Sequence, residues 1–365
     1  MLNKTTSHPR KLTSDEILAL KPYVPGKPVE ELERELGITG SVKLASNENP
    51  AGPSPRAIAA ISGMLGGLNR YPDGAGHYLK QALSAKYGWP TEGIILGNGS
   101  NELLEIAVRT FLLPGEEAIM AEPSFVVYKM AVQAAGGGRV IVPLKDGRHD
   151  LAAMAGRVTD KTKIVFIANP NNPTGTINTI AEMDALMEAV PDDVVVVVDE
   201  AYYEYVTDTL YADSMKYLKS GRRIIILRTF SKAYGLAGLR IGYGLASTEL
   251  CGLMDRVRQP FNTGTLAQVA ALAALDDREH VEKAVRLNEE GKRYLYGELD
   301  RMGVSYLPTQ ANFIYMEMKT DAAALYGRLL KEGVIVRPMG LTQLRVTIGL
   351  MQENERFVRA LEGAL

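Results

Sequence analysis

The segment from Arg228 to Tyr243, RTFSKAYGLAGLRIGY, combines an amine, hydroxyls and guanidinium groups in one short stretch that follows an apolar run. Thr229 and Ser231 flank Lys232, and Arg240 lies eight residues further on, behind a glycine-rich bend. A lysine that is removed from water or placed near other cations loses its proton and forms a Schiff base with a carbonyl cofactor. The hydroxyls and the guanidinium would bind a phosphate beside it. Taken alone, Lys232 would be an exposed loop lysine.

Three further apolar stretches end in polar residues of the kind that bind a cofactor. The runs 93–96, 164–168 and 194–198 are rich in branched aliphatic side chains, as in strands buried on both faces. Ligands of open α/β sheets lie at the carboxyl ends of such strands. We therefore expect the segments that follow these runs, at 98–101, at 169–175 and at Asp199, to converge on Lys232.

Two of these positions favour particular contacts. Asp199 follows five valines, and a buried carboxylate needs a partner such as a protonated ring nitrogen. The glycine turn 97–101 would present backbone N–H groups to a phosphate; its simpler interpretation is a turn in which Ser100 or Asn101 caps a helix. A dinucleotide fingerprint is excluded, because Glu102 stands where its third glycine is required.

The segment 231–240, SKAYGLAGLR, resembles the lysine segment of the fold-type I pyridoxal-phosphate (PLP) aminotransferases, most closely the histidinol-phosphate aminotransferase branch. Motifs from Asn47 to Gly349 follow in the order of that family. The resemblance implies an α/β fold with a doubly wound, mostly parallel sheet in a large domain and a smaller C-terminal α/β domain. We expect an N-terminal arm at 1–45 that packs on the small domain and a partner subunit, a large domain at 46–264, and a linking helix and small domain at 265–365.

The resemblance also implies roles for individual residues. Lys232, Asp199 and Tyr202 would be catalytic. The cofactor would be bound through its phosphate, ring face, ring nitrogen and phenolate oxygen by Gly99, Ser100, Asn101, Phe125, Asn172, Asp199, Tyr202, Thr229, Ser231, Lys232 and Arg240, with Tyr71 supplied by the other subunit of a homodimer. The substrate would be bound by Asn49, Asn312, Arg337 and Arg345.

Composition restricts the classes of partner. Basic and acidic residues number 41 and 43, which disfavours nucleic acid or an anionic membrane as the partner. The single cysteine fits a reducing compartment, and the four histidines have no metal-ligand spacing. The first eleven residues carry positive charge without an apolar stretch behind it, so a cytoplasmic protein is expected.

The resulting hypothesis is PLP-dependent transamination of L-histidinol phosphate with 2-oxoglutarate, giving imidazole acetol phosphate and glutamate in histidine biosynthesis. An aromatic amino acid aminotransferase and a threonine-phosphate decarboxylase share the cofactor motifs and stay open. A non-catalytic PLP-binding regulatory domain is the alternative from another class. Two departures from the family pattern concern the substrate: Ala51 stands where an aromatic residue is usual, and the segment 338–342 is shorter than the usual Gly-Tyr-Gly loop.

Overall fold

The computed structural model describes residues 12–365, so the expectation about the first eleven residues lies outside the described part. The helices are α1 Asp15–Leu18, α2 Val29–Leu36, α3 Pro55–Met64, α4 His77–Tyr87, α5 Gly99–Phe111, α6 Val127–Ala134, α7 Leu151–Ala155, α8 Ile180–Ala189, α9 Met215–Lys219, α10 Thr248–Asp255, α11 Thr265–Leu275, α12 Arg278–Met302, α13 Ala322–Lys331 and α14 Met351–Ala364. The strands are β1 Val42–Lys43, β2 Ile94–Gly97, β3 Glu117–Glu122, β4 Gly138–Pro143, β5 Thr162–Ala168, β6 Val195–Asp199, β7 Ile224–Thr229, β8 Gly242–Leu245, β9 Ser305–Leu307, β10 Phe313–Glu317, β11 Val334–Ile335, β12 Arg337–Pro338 and β13 Gln343–Thr347.

The main sheet has seven strands in the order β2-β8-β7-β6-β5-β3-β4. Strand β8 runs antiparallel to both of its neighbours, and every other pair in the sheet is parallel. The predicted mostly parallel sheet is therefore confirmed. The carboxyl ends of β5, β6 and β7 lie side by side, which brings the polar residues that follow them to one edge.

Helices cover both faces of this sheet. Along β5, Val165 and Ile167 pack into the apolar cluster that includes α3, α4, α8 and α11. Ile164 and Phe166 alternate with them and pack into the opposite cluster, which includes α5, α6 and α10. All four side chains are fully buried, which explains why the central strands are apolar runs without alternation.

A second, antiparallel sheet of order β12-β13-β10-β9 lies in the C-terminal part of the chain. Its apolar cluster includes residues of α12, α13 and α14 together with Leu44 from the N-terminal region. Strand β1 pairs in parallel with β11, with Val42 opposite Val334. The segment that precedes the main sheet in sequence therefore packs against the C-terminal part of the chain.

Residues 265–302 form two helices. Helix α11 ends at Leu275, and Asp277 caps α12 by accepting a hydrogen bond from the His280 N–H. The Asp277 carboxylate also accepts from the Ser54 hydroxyl at 2.6 Å. Further along the chain, the neighbouring strands β11 and β12 belong to different sheets.

No helix within residues 12–365 is long and apolar enough to cross a membrane.

Candidate active site

The carboxyl ends of the central strands and the first turn of α5 surround one cavity of about 800 Å³. Most of the predicted site residues line it, namely Ser100, Asn101, Phe125, Asn172, Asp199, Tyr202, Thr229, Ser231, Lys232, Arg240, Arg337 and Arg345. Strands β5, β6 and β7 carry or precede six of these residues, and β12 and β13 bring in the last two arginines. Residues that are far apart in sequence therefore meet at one place.

Lys232 lies three residues beyond β7, and its Nζ donates a hydrogen bond to the Ser46 carbonyl at 3.1 Å. Removal from water, reinforced by the positive charge of Arg345, lowers the pKa of Lys232 to about 8. Close to neutrality about a tenth of the amine is unprotonated, far more than for a lysine with the ordinary pKa. Lys232 thus has the property that its predicted chemistry requires.

Asp199 is the last residue of β6 and is buried. Its Oδ2 accepts a hydrogen bond from the Tyr128 hydroxyl at 2.9 Å, and its Oδ1 accepts one from the Ala201 N–H at 3.2 Å. Burial raises the pKa of Asp199 to about 6 despite these donors. Sequence reasoning missed Tyr128, because a tyrosine inside α6 carries no motif that connects it with a strand end about seventy residues later.

The first turn of α5 forms a pocket for an anion. Gly99 has φ +75°, and a Cβ at this position would lie 2.4 Å from Arg240 Nη2. Arg240 in turn donates to the Ser231 hydroxyl at 3.2 Å. The N–H groups of a first helical turn have no partner within the helix and carry its positive dipole end, so they bind phosphate well.

The capping interpretation of Ser100 and Asn101 is wrong. Asn98 occupies the position before the helix, and both residues lie inside the first turn. A Cβ on Gly242 would lie 2.5 Å from the Ser100 nitrogen, so this close packing requires glycine. Because the donors, the cation and the glycines fit a phosphate, the predicted phosphate pocket is chemically suited to PLP.

Arg345 lies in β13 and is 8% exposed. Its Nη1 donates to Asn172 Oδ1 at 2.5 Å and its Nη2 to the Ala45 carbonyl at 2.7 Å, while its buried Nε has no partner among the described residues. The contact with Arg345 occupies the Asn172 oxygen, so the Asn172 Nδ2 donor faces away from the guanidinium. This is the orientation in which Asn172 can donate to a phenolate oxygen.

Arg337 is the direct neighbour of Arg345 across the β12–β13 pair. It donates to the Val24 carbonyl at 2.8 Å, and its guanidinium carbon lies 5.6 Å from the centroid of the Tyr23 ring. Tyr23 also lines the cavity. Sequence reasoning missed it, because the proline-rich stretch around Tyr23 predicts only an irregular arm.

Tyr202 follows β6 and is buried, and desolvation raises its pKa to about 12. Its hydroxyl oxygen accepts a hydrogen bond from Asn47 Nδ2 at 2.9 Å. Asn47 stands two residues before Asn49, the asparagine predicted to bind substrate. The prediction of Asn49 as a substrate-binding residue indicated this segment. The structure shows that Asn47 is the asparagine that contacts Tyr202.

Four predicted site residues do not line the cavity: Gly99, Asn49, Asn312 and Tyr71. Asn49 Nδ2 donates to the Ala233 carbonyl at 2.8 Å, and Asn312 Nδ2 donates to the Asn47 carbonyl at 3.0 Å. Both amides thus hold the 46–49 segment in place. Tyr71 is 82% exposed and stacks on Phe261, so it does not reach the cavity of its own chain.

The fold and the cavity define the class. A mostly parallel α/β sheet with a lysine, an aspartate and a phosphate pocket at its carboxyl edge is the arrangement of a group-transfer enzyme that uses a carbonyl cofactor. Residues 39–361 match the family model described as aminotransferase class I and II. The chain belongs to this family.

Named relatives and solved structures agree with the assignment. The chain is 50% identical over 356 residues to a histidinol-phosphate aminotransferase of Moorella thermoacetica. The aligned region covers 96% of this chain and 92% of that protein. It is 49% identical to histidinol-phosphate aminotransferase 2 of Carboxydothermus hydrogenoformans, over 95% of this chain and 97% of that protein. The crystal structure of the histidinol-phosphate aminotransferase from Sinorhizobium meliloti in complex with pyridoxal-5'-phosphate superposes with TM-score 0.89 at 28% identity, over 98% of each chain.

Proposed function

We propose that this chain is a PLP-dependent transaminase that moves the amino group of L-histidinol phosphate to 2-oxoglutarate, giving imidazole acetol phosphate and glutamate in histidine biosynthesis. The main support for this proposal is that Lys232, Asp199 and Arg240 line one cavity in a chain that belongs to this family. The identity of about one half to relatives named as histidinol-phosphate aminotransferases supports this substrate over an aromatic amino acid or threonine phosphate.

Pyridoxal phosphate, when bound, supplies a carbonyl that takes up an amino group and a ring that withdraws electrons. Lys232 would be the residue that holds this carbonyl group. In its neutral form, Lys232 Nζ would accept the proton lost from the α-carbon of the substrate. Its lowered pKa keeps part of the amine neutral for this task.

The other residues would orient the cofactor and balance its charges. The Asp199 carboxylate, which accepts a hydrogen bond from the Tyr128 hydroxyl, would keep the ring nitrogen protonated. The α5 N-terminus with Ser231 and Arg240 would bind the phosphate. Phe125 lines the cavity beside Tyr128 and would pack against the ring.

Arg345 and Arg337 form the substrate anion site. They lie opposite each other on neighbouring strands, and their hydrogen bonds to described residues go to carbonyl and amide oxygens rather than to carboxylates. Two adjacent unpaired guanidinium groups are costly unless an anion joins them. Because a guanidinium fork fits both phosphate and carboxylate, the pair serves the phosphate of one substrate and a carboxylate of the other.

The proposal includes a homodimer. An exposed aromatic pair, Tyr71 and Phe261, lies outside the cavity of its own chain. In the proposed dimer Tyr71 reaches the cofactor phosphate of the partner subunit, which makes each site depend on both chains.

The test is kcat/KM for L-histidinol phosphate and for phenylalanine, each with 2-oxoglutarate as acceptor. A large preference for histidinol phosphate is expected. Equal values, or a preference for phenylalanine, would move the chain to the aromatic aminotransferases. Release of CO₂ without a need for an oxo acid would instead indicate a phosphate-ester decarboxylase.

A further inference from the structure

Asn47 is a buried asparagine that links Tyr202, just after β6, to Thr347 in β13. It is 1% exposed and has φ +55°, a left-handed conformation that asparagine tolerates better than most residues. Its Nδ2 donates to the Tyr202 hydroxyl oxygen at 2.9 Å. Its backbone N–H donates to Thr347 Oγ1 at 2.9 Å, and its carbonyl accepts from Asn312 Nδ2 at 3.0 Å.

Thr347 determines which way the Asn47 amide points. Thr347 Oγ1 already accepts the Asn47 N–H, and its own proton is donated to Asn47 Oδ1 at 3.2 Å. If the amide were reversed, the threonine oxygen would face two donors and its proton would lose its acceptor. The amide oxygen therefore faces Thr347, and the amide nitrogen faces Tyr202.

This orientation has a consequence for the proton of Tyr202. Because the hydroxyl oxygen accepts from Asn47, its own proton points away from Asn47. The Tyr202 hydroxyl belongs to a residue that lines the cavity, and the ionisable groups around it are Arg345, Asp199, Tyr23 and Lys232. None of these accepts a hydrogen bond from the hydroxyl among the described contacts, so the donor is free for a bound group.

We propose that Asn47 and Thr347 are positioning residues that aim the hydroxyl proton of Tyr202 at the phenolate oxygen of the bound cofactor. This inference rests on the proposed function. Thr347 is two residues from Arg345 in β13 and on the same face of that strand. The strand that holds the substrate arginine thus also fixes the hydrogen-bonding direction of Tyr202.

The test uses Asn47→Asp, which keeps the side-chain shape but replaces the donor by an acceptor. A carboxylate at position 47 accepts a hydrogen bond from the Tyr202 hydroxyl. The phenolate oxygen of the cofactor then loses this donor. A phenolate without that donor holds the proton of the lysine–cofactor linkage more tightly. We expect the apparent pKa of the visible absorption band of the PLP-loaded enzyme to rise by about one unit, as in Tyr202→Phe.

A double-mutant cycle separates the orientation of the Tyr202 hydroxyl proton from the effect of the negative charge that Asn47→Asp adds. In the Tyr202→Phe background, Asn47→Asp is expected to cause no further rise, because no hydroxyl proton is left to redirect. An equal rise in both backgrounds would assign the effect to charge alone and overturn the inference.

Thr347→Val and Thr347→Ser form the uncharged matched pair. Valine removes the hydroxyl that fixes the Asn47 amide and is expected to shift the pKa of the band in the same direction, whereas serine restores the wild-type value. Wild-type titration in Thr347→Val, with PLP bound and an unchanged melting temperature, would contradict the role of Thr347. If the wild type binds PLP and the variants show the same pKa of the absorption band as the wild type, this inference alone is refuted. Failure of the wild type to bind PLP would overturn the proposed function as well.

Discussion

The reactivity of Lys232 depends on its surroundings more than on its neighbours in sequence. Thr229 and Ser231 are its neighbours in the lysine segment, but desolvation and the positive charge of Arg345 lower the pKa of Lys232 to about 8. Arg345 lies more than one hundred residues later in the chain. The motif therefore predicted the amine, and only the tertiary structure explains its acidity.

The first prediction concerns the reaction of Lys232 with the cofactor. Only the neutral amine attacks a carbonyl, and the neutral fraction increases as pH rises toward the pKa of about 8 and levels off above it. Mixing apo protein with PLP at a series of pH values, and following the absorption of the product, should show this rise. Lys232→Ala is the control, and borohydride-stable cofactor in that variant would remove Lys232 from its role.

The second prediction concerns Arg345. We expect Arg345→Lys to raise KM for both substrates by about a hundredfold, since one ammonium cannot replace a fork that contacts two groups and an anion. The dissociation constant of PLP should change far less, although Asn172 loses a partner. Steady-state kinetics and a cofactor titration measure the two quantities, and unchanged KM values would exclude Arg345 from the substrate site.

Residues such as Tyr128 and Asn47 mark what the sequence alone does not reveal at this scale. Each contacts a predicted site residue through one hydrogen bond across a large gap in sequence. Tyr128 has no neighbour whose type or spacing suggests such a contact, and Asn47 lies beside the predicted residue Asn49 without a signal that distinguishes the two asparagines. Only the packing of α6 and of the 46–49 segment on the strand ends produces these bonds.

At the scale of elements, strong local signals correspond to observed structure. The valine run predicts a buried strand and forms β6. Helix α2 ends at Gly37, whose φ of +67° is unfavourable for other residues. The break between α11 and α12 lies at Asp276 and Asp277, where no proline or glycine indicates it in the sequence.

The third prediction concerns the junction of β2 and α5. Gly99→Ala places a methyl group 2.4 Å from Arg240 Nη2 in a backbone conformation that alanine disfavours. We expect the affinity for PLP to fall at least about tenfold, because Arg240 must move away from the phosphate pocket. Fluorescence titration of the apo protein with PLP gives the dissociation constant.

Gly238→Ala is the matched control for this change. Gly238 lies in the same lysine segment, and an added Cβ there has no atom within 4 Å. Its affinity for PLP should stay close to that of the wild type. If both variants bind equally well, the close packing of Gly99 on Arg240 does not shape the phosphate pocket.

At the scale of the whole molecule, the sequence predicted the fold class because apolar runs and polar strand ends recur in a fixed order. The two-sided burial of β5 and β6 made those runs conspicuous. The antiparallel insertion of β8 and the β1–β11 pair were not predicted. Pairing partners depend on contacts between distant segments, and short strands such as β1 carry almost no pattern of their own.

The fourth prediction belongs to the assembled protein. If Tyr71 serves the partner subunit, Tyr71→Phe should weaken PLP binding several-fold while sedimentation still shows a dimer. Wild-type chains diluted until they dissociate should lose PLP affinity in parallel. A monomeric wild type with full PLP affinity would refute the shared site.

The β1–β11 pair also sets an order of assembly during synthesis. Strand β1 leaves the ribosome early, but its partner and β13 are among the last elements to be made. The main sheet has all of its strands once residue 245 is available, whereas the 46–49 segment gains its partners Asn312 and Thr347 only when the C-terminal part has been made. A nascent chain can therefore hold all strands of the main sheet while the segment whose Ser46 carbonyl accepts from Lys232 still lacks these partners. Completion of the site thus depends on synthesis of the C-terminal part of the chain.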